Sequence, residues 1–403
     1  MAVRTLSRAR PRAETGRGFV PVLVVWASWL VLMAGANLAT PLYAVYASRF
    51  GFSSLVLTSI FATYAFVLVP SLVLFGRLSD RFGRRPVIAA GLLVACGGLL
   101  LFAFAEGETW LYGARALQGL AVGMISGAAT AALVELDPDD DRRRAAMFAG
   151  LAQAGGSAAG PLLAGVLAQS APDRLRLPFL VGLALTVVAA VAVLVLPEQQ
   201  DGEREPWRIQ WPRVPRELRA DFARVSVTAA TVWATVALYL SIVPSYARGF
   251  LGTSNLALLA AVAAVALLAS SATQILGQRW RPAPRLGQAT GLGLLACGLT
   301  ALVVSSPLHS LAVLLAGAAV AGAGHGLAFV SAQEELNDFA PPERRAEVTA
   351  AFIACIYFLV ATSVIGAGVL DLRFSLSVSV EAVAVVLALS ALAGIVWQLR
   401  RAA

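Results

Sequence analysis

The chain has 403 residues, of which 59% are hydrophobic and 13% charged, with mean hydropathy +0.77 and formal net charge +8 at pH 7. Soluble domains carry about 25% charged residues, so the composition excludes one and points to a chain that crosses a membrane many times. The three cysteines, Cys96, Cys297 and Cys355, lie in apolar runs, which implies neither a disulfide framework nor a metal cluster.

An arginine-bearing tail, 1–19, precedes the first apolar segment, 20–44. The tail, this run and "AGA" at 34–36 also fit a cleavable signal peptide, but cleavage would spoil the internal repeat described below. Trp26, Trp29, Met33, Asn37 and Thr40 share one helical face here, and no carboxylate lies between Phe19 and Arg49. A second segment, 54–76, leads into "GRLSDRFGRRP". Gly76 and Gly83 let backbones turn and approach closely, and Asp80 suits a helix N-terminus. Topology alone would account for Arg77, Arg81 and Arg85, but not for Asp80 or the glycine spacing.

Segment 3 is 87–105, and segment 4, 110–135, holds "RALQGLAVG" with Arg115, Gln118 and Gly119. Arg115 is the only arginine placed within the hydrocarbon, so it is expected to face the bundle interior, unless it snorkels to the surface. Glu135 closes this segment, and "DPDDDRRR" at 137–144 reads as a solvated loop. In segment 5, 145–169, "GSAAGPLLAG" supplies Gly156, Gly160, Pro161 and Gly165: small residues for close packing and a proline that bends the helix. Segment 6 is 178–196, followed by a charged, proline-bearing linker, 197–222.

Segment 7, 223–246, aligns Thr228, Thr231, Thr235 and Tyr239 on one face. Segments 8 and 9 are 254–277 and 287–305; the loop between them has Arg281 where an offset of 201 residues places Asp80. Segment 10, 309–335, carries His325 with Phe329 one turn on. Segment 11 is 347–370, and segment 12, 375–399, contains Glu381, expected to be protonated, turned towards a neighbouring helix, or reaching the headgroups. At the 201 offset Gly51, Gly76, Gly123, Cys96 and Gly165 meet Gly252, Gly277, Gly324, Cys297 and Gly366, which argues for duplication. With both termini cytoplasmic, 25 arginines lie on the cytoplasmic side and five opposite, and the chain has no lysine. The pI near 10.1 therefore reflects topology and needs no nucleic-acid partner.

The run Gly76 to Arg85 resembles the signature loop of the major facilitator superfamily. "RALQG" is similar to its helix 4 motif, and "GSAAGPLLAG" to the motif of its proton-antiport exporters, with Ala164 where that pattern has glycine. The resemblance implies an all-α membrane protein whose twelve transmembrane helices form two pseudo-symmetric six-helix bundles, 20–196 and 223–399, with the substrate between them. It implies a gate of Gly76, Asp80, Arg81, Gly83, Arg84 and Arg85, with Asp80 at the N-terminus of the eleventh helix and Glu135 on Arg84. Helices 1, 4, 7 and 10 would line the cavity through Trp26, Trp29, Met33, Asn37, Thr40, Thr231, Thr235, Tyr239, His325 and Phe329. The expected activity is export of a small lipophilic or amphipathic molecule by proton antiport, with His325 or Glu381 carrying the proton. Arg115 and His325 at mid-cavity would favour a neutral or anionic guest. Symport uptake is the alternative; a receptor, a scaffold or an intramembrane protease built on "GGSA" at 155–158 with His309 or His325 is remote. A nucleotide-driven pump would need a phosphate-loop lysine. The expected protein is thus no enzyme: a monomer of the inner (plasma) membrane that uses a proton gradient in place of a cofactor or metal.

Overall fold

Each segment is apolar round most of its circumference, so in lipid its backbone is satisfied only within itself, as a helix. The computed structural model describes residues 19–139, 141–170, 172–196, 211–280, 282–341 and 344–400. Among these, twelve helices are long and apolar enough to cross a membrane. The first half comprises α1 (Phe19–Asn37, continued by Tyr43–Phe50), α2 (Ser54–Phe75), α3 (Arg84–Ala103), α4 (Glu108–Leu136), α5 (Arg142–Ser170) and α6 (Leu177–Val195). The second comprises α7 (Arg219–Ser241, continued by Val243–Leu251), α8 (Leu256–Trp280), α9 (Pro284–Ser305), α10 (Leu311–Phe339), α11 (Arg345–Asp371) and α12 (Leu376–Arg400). Each predicted segment is one of these helices. Residues 197–210 of the linker and Arg281 lie outside the described residues.

Both α1 and α7 break at a proline. Pro41 offers no N–H and its ring excludes the carbonyl four residues back, so Thr40–Leu42 forms a 3₁₀ turn before the helix resumes. Pro244 holds the matching place at the start of Val243–Leu251. Both continuations stop at a glycine in the left-handed region, Gly51 (φ 72°) and Gly252 (φ 61°), which closes a helix C-terminus without a Cβ clash.

The halves repeat, but the structure corrects the single offset of 201. Buried Gly91, Leu92, Ala95, Cys96, Gly98 and Leu99 of α3 reappear at an offset of 200 in α9 as Gly291, Leu292, Leu295, Ala296, Gly298 and Leu299. Cys96 therefore matches Ala296, and Cys297 is exposed. In α4, Leu111, Ala114, Gln118 and Gly119 reappear at 203 in α10 as Leu314, Gly317, Ala321 and Gly322. Gly119 lies against the Tyr64 carbonyl and Gly322 against that of Ala266, which relates α2 to α8 at 202. Gly165 of α5 lies against Leu256, Ala257 and Ala260 of α8, and Gly368 of α11 against Ser54, Leu55 and Thr58 of α2, so the partner of Gly165 is Gly368 in place of Gly366. Connections of unequal length shift the register from helix to helix.

Those last two glycine contacts join the halves at one end. Leu256 N–H also donates to Gln169 Oε1 at 2.9 Å there. At the opposite end, which carries Gly76–Arg85 and is called the motif end below, the halves stand apart around a cavity.

Candidate functional site

The cavity has two joined lobes. The larger, about 580 Å³, is bordered chiefly by α5, α8 and α10; the smaller, about 160 Å³, by α2, α4 and α11. Trp29, Gln153, Trp233, Phe329, Gln333 and Asn337 border both and form a waist. The larger lobe alone falls within the usual range for small-molecule sites, about 300–1,000 Å³.

Its most distinctive group is His325, which is buried. Nδ1 meets the Ser270 hydroxyl at 2.7 Å, and Gln274 Nε2 donates to the same oxygen at 3.1 Å. The Ser270 hydroxyl thus joins the imidazole of α10 to the Gln274 amide of α8. Trp233 meets the imidazole edge-on at 4.9 Å between centroids, and Phe329 stacks on it at 5.8 Å. Neither His325 Nε2 nor the indole nitrogens of Trp29 and Trp233 have a hydrogen-bond partner among the described residues.

Of the predicted lining, Trp29, Met33, His325 and Phe329 border the cavity. The rest do not. Trp26 packs on Phe148 at 6.3 Å, Asn37 bonds the Met33 carbonyl at 2.9 Å and Ser157 at 3.4 Å, and Thr40 is buried in the 3₁₀ turn. On α7 the hydroxyl stripe faces the second half's interior: Thr231 bonds Ser390 of α12 at 2.9 Å, Thr235 bonds the Thr231 carbonyl, and Tyr239 is buried. Away from water a hydroxyl takes a partner in its own turn or a neighbouring helix, so the stripe marked the packed face, and the cavity face of α7 carries Trp233. Ser270, Gln274, Gln153 and Glu334 on the wall were likewise missed; polar residues scattered along α5, α8 and α10 are the signal that would have found them.

Arg115 faces the bundle interior as expected, but does not border the cavity. Nη1 donates to the Ala36 carbonyl and Gln118 Oε1, each at 2.9 Å, and Nη2 to the Phe61 carbonyl at 3.3 Å. Gln118 donates to the Gly35 carbonyl at 3.0 Å. The pair therefore takes up carbonyls freed where α1 breaks. Its guanidinium lies over the rings of Phe61 and Tyr64, at 5.0 and 4.6 Å, so Tyr64 separates it from the smaller lobe. The charge argument for an anionic guest thereby loses Arg115.

In the signature loop Leu78–Phe82 forms one short helix, and Gly83 at φ 93° admits the turn into α3 that a Cβ would strain. Gly127 of α4 approaches the Gly76 carbonyl. Arg84 joins Asp80 and Glu135, the latter at 2.9 Å; Arg77 reaches Asp80 at 3.3 Å; Arg85 donates to the Leu196 carbonyl at 2.9 Å; Arg81 lies over the Phe82 ring. Asp80 is thus held within its own loop by Arg77 and Arg84. The loop after α4 is exposed at Pro138, Asp139 and Asp141 as expected, but Asp137 is buried with Arg144 at 2.7 Å, whose guanidinium holds the carboxyl down at about 2.

A second charged cluster was not foreseen. Arg224, on α7 and 1% exposed, joins Glu335 of α10 at 2.5 Å, and also Gln398 of α12. Arg285 at 3.4 Å and Gln288 at 2.6 Å add α9 to the same carboxylate. Glu381 turns towards its neighbours, accepting from Tyr246 at 3.2 Å, and borders neither lobe, which removes it from the cavity chemistry. On α5, Gly156 and Gly160 lie against the Leu30 and Ala34 carbonyls of α1, whereas Gly165 meets α8.

A family model described as the Major Facilitator Superfamily matches residues 25–364. The class B tetracycline resistance protein of Escherichia coli is 34% identical over 152 residues, 37% of this chain and 34% of that protein. The gentisate transporter of Corynebacterium glutamicum is 30% identical over 192 residues, 46% of this chain and 42% of that protein. The chain therefore matches less than half the length of these relatives. A crystal structure of the nucleoside transporter NupG superposes with a TM-score of 0.72 at 12% identity, covering 94% of this chain and 99% of that one. A bacterial homologue of the lysosomal transporter Spinster, inward-facing and unoccupied, gives 0.69 at 13% identity, covering 94% and 96%. These two likenesses are of fold alone.

Proposed function

The chain belongs to the major facilitator superfamily, and on that premise we propose that it is a secondary transporter exporting a small lipophilic or amphipathic molecule by proton antiport. The observation that carries this reading is the cavity between two repeated halves, shut at one end by Gly165 and Gly368 and open at the motif end. Two such halves rocking about a central site give alternating access. The arginine distribution supports a cytoplasmic motif end and cytoplasmic termini, and on this reading, with the chain in the inner membrane, the structure is in the state that loads guest from the cytoplasm. The protein acts as a monomer with the proton gradient in place of a cofactor. Export is favoured over uptake by the glycine–proline row of α5, and the tetracycline resistance relative points the same way.

His325 is the proposed proton carrier, as a buried titratable group in the cavity wall with one ring nitrogen lacking a partner among the described residues. A hydrolase built on Ser270 and His325 is disfavoured: Ser270 meets Nδ1, and among the described residues Nε2 has no acceptor and no carboxylate is bonded to the imidazole. Proteoliposomes loaded with tetracycline, a quinolone or gentisate test the proposal. A proton gradient should drive at least one of them in the antiport sense, with His325→Gln abolishing the proton-dependent part. Movement with the proton would establish symport instead, and full proton-driven transport by His325→Gln with an unshifted pH optimum would remove His325 from the mechanism.

A further inference from the structure

The waist joining the two lobes has a narrow chemistry. Trp29, Trp233 and Phe329 are aromatic, Gln153, Gln333 and Asn337 are carboxamides, and none of the six is charged, aliphatic or a hydroxyl. Elsewhere in the bundle carboxamides are spent between helices: Gln118 donates to the Gly35 carbonyl of α1, Gln169 accepts from Leu256 N–H of α8, Gln288 donates to Glu335 of α10, and Gln398 to Gln288 of α9. The amides of Gln153 and Gln333 have no such partner among the described residues, and both side chains border open space.

The aromatic part of the waist has a definite shape. Trp233 and Phe329 meet at 87° with centroids 5.4 Å apart, and both are half-buried, so they form a corner in which a flat ring lies along one and sets its edge against the other. Gln333 follows Phe329 by one turn of α10, a spacing that brings Cβ atoms to about 5–6 Å, and its amide therefore reaches the rim of a ring held in that corner. A carboxamide carries an N–H donor beside a C=O acceptor. A partner presenting the same pair reversed satisfies both at once, as when Asn or Gln reads the edge of adenine; an ester meets only the donor half. Among the described residues no arginine borders either lobe and Glu334 borders the larger one alone, so the waist favours an uncharged group.

We propose that the waist is a subsite for an uncharged flat ring with a lactam-type edge, an N–H next to a C=O, which stacks in the Trp233–Phe329 corner and exchanges two hydrogen bonds with the Gln333 carboxamide. The part of this subsite in export rests on the transport reading above; the subsite itself is tested by binding alone, without a proton gradient.

The probes are 2-quinolinone, a lactam, and coumarin, the lactone of the same shape, titrated against the purified protein in nanodiscs by ligand-observed NMR with empty nanodiscs as the blank. The parent should prefer the lactam roughly fivefold, the worth of one added hydrogen bond. Gln333→Leu should weaken both and bring them to parity. Phe329→Leu should weaken both by a common factor, roughly fivefold for the lost ring contact, and keep the lactam preference. Gln333 is exposed, so its replacement leaves the fold intact and decides the pairing even if Phe329→Leu fails to give a monodisperse protein.

Equal binding of lactam and lactone by the parent, or a preference that survives Gln333→Leu, would overturn the pairing. Undiminished binding by Phe329→Leu would overturn the corner, and tighter binding of N-methylquinolinium than of 2-quinolinone would hand the site to Glu334 and overturn the uncharged ring. A protein that shows the lactam pattern but moves no solute would keep the subsite and lose the transport reading; proton-driven transport without the pattern would do the reverse.

Discussion

Arg84 and Arg224 are both ion-paired arginines at the motif end, yet only one could be placed from the sequence. Arg84 stands in a ten-residue pattern whose spacing, with Glu135 at the close of segment 4, points to its partner. Arg224 reads as the last of a run of linker arginines, and nothing local distinguishes Glu335 from Glu334 beside it. Only the rotation of α7 and α10 turns Arg224 inward onto Glu335, with Gln288, Arg285 and Gln398 closing round them. Arg224 is almost fully buried and Glu335 is 15% exposed, so removing one partner leaves a charge in a poorly solvated place. Arg224→Met should cost about 3 kcal/mol of stability, the low end for such a pair because Arg285 remains. Arg224→Met with Glu335→Leu should recover most of it. Thermal unfolding of the purified protein checks this, and a double variant no more stable than the single would show that the pair is not the cause.

At the scale of elements, hydropathy made the twelve helices legible, because a segment in lipid has no other way to satisfy its backbone. The breaks in α1 and α7 were not, since the apolar runs continue straight through Pro41 and Pro244; the α1 break depends on Arg115 and Gln118 arriving from α4. Helix faces were read less well than helices. The threonines of α7 lie on one face, but amphipathic striping towards water has no meaning for a helix whose other neighbours are helices and lipid. The glycines of α5 divide by contact. A Cβ on Gly160 would stand 2.3 Å from the Ala34 carbonyl oxygen, whereas one on Gly155 would meet nothing within 4 Å. Gly160→Ala should therefore push α5 from α1 and cost roughly 2 kcal/mol. Gly155→Ala should be neutral or stabilising by up to about 1 kcal/mol. The melting temperatures of the two variants in one detergent decide it, and equal shifts would rule out the close approach as the constraint on this helix.

For the whole molecule the repeat was visible, but its register was not, because matching glycines at one offset ignores insertions between helices. The corrected register makes the shut end a symmetric structure: Gly165 on α8 and Gly368 on α2 are the same contact made twice, one on each side of the axis. Neither position has room for a methyl group, as a Cβ would fall 2.5 Å from Ala260 Cβ in the first and 2.1 Å from Thr58 Oγ1 in the second. Each contact stabilises only the state in which this end is closed, so a substitution here acts on the balance between states. A penalty of about 1–3 kcal/mol at such a seam multiplies the population of the state open at this end roughly five- to 150-fold relative to the closed one. On the alternating-access proposal the motif end closes in that state, and Asp80, here held by Arg77 and Arg84, would come within reach of the α11 N-terminus, where a carboxylate gains about 0.3–1 kcal/mol. Gly165→Ala and Gly368→Ala should each lengthen spin-label distances between α5 and α8 at the shut end while shortening those between α2 and α11 at the motif end. Adding Asp80→Asn to either should partly reverse the shift. Lost transport with both distances unchanged would mean that the glycines serve folding alone, and that the halves do not rock about this seam.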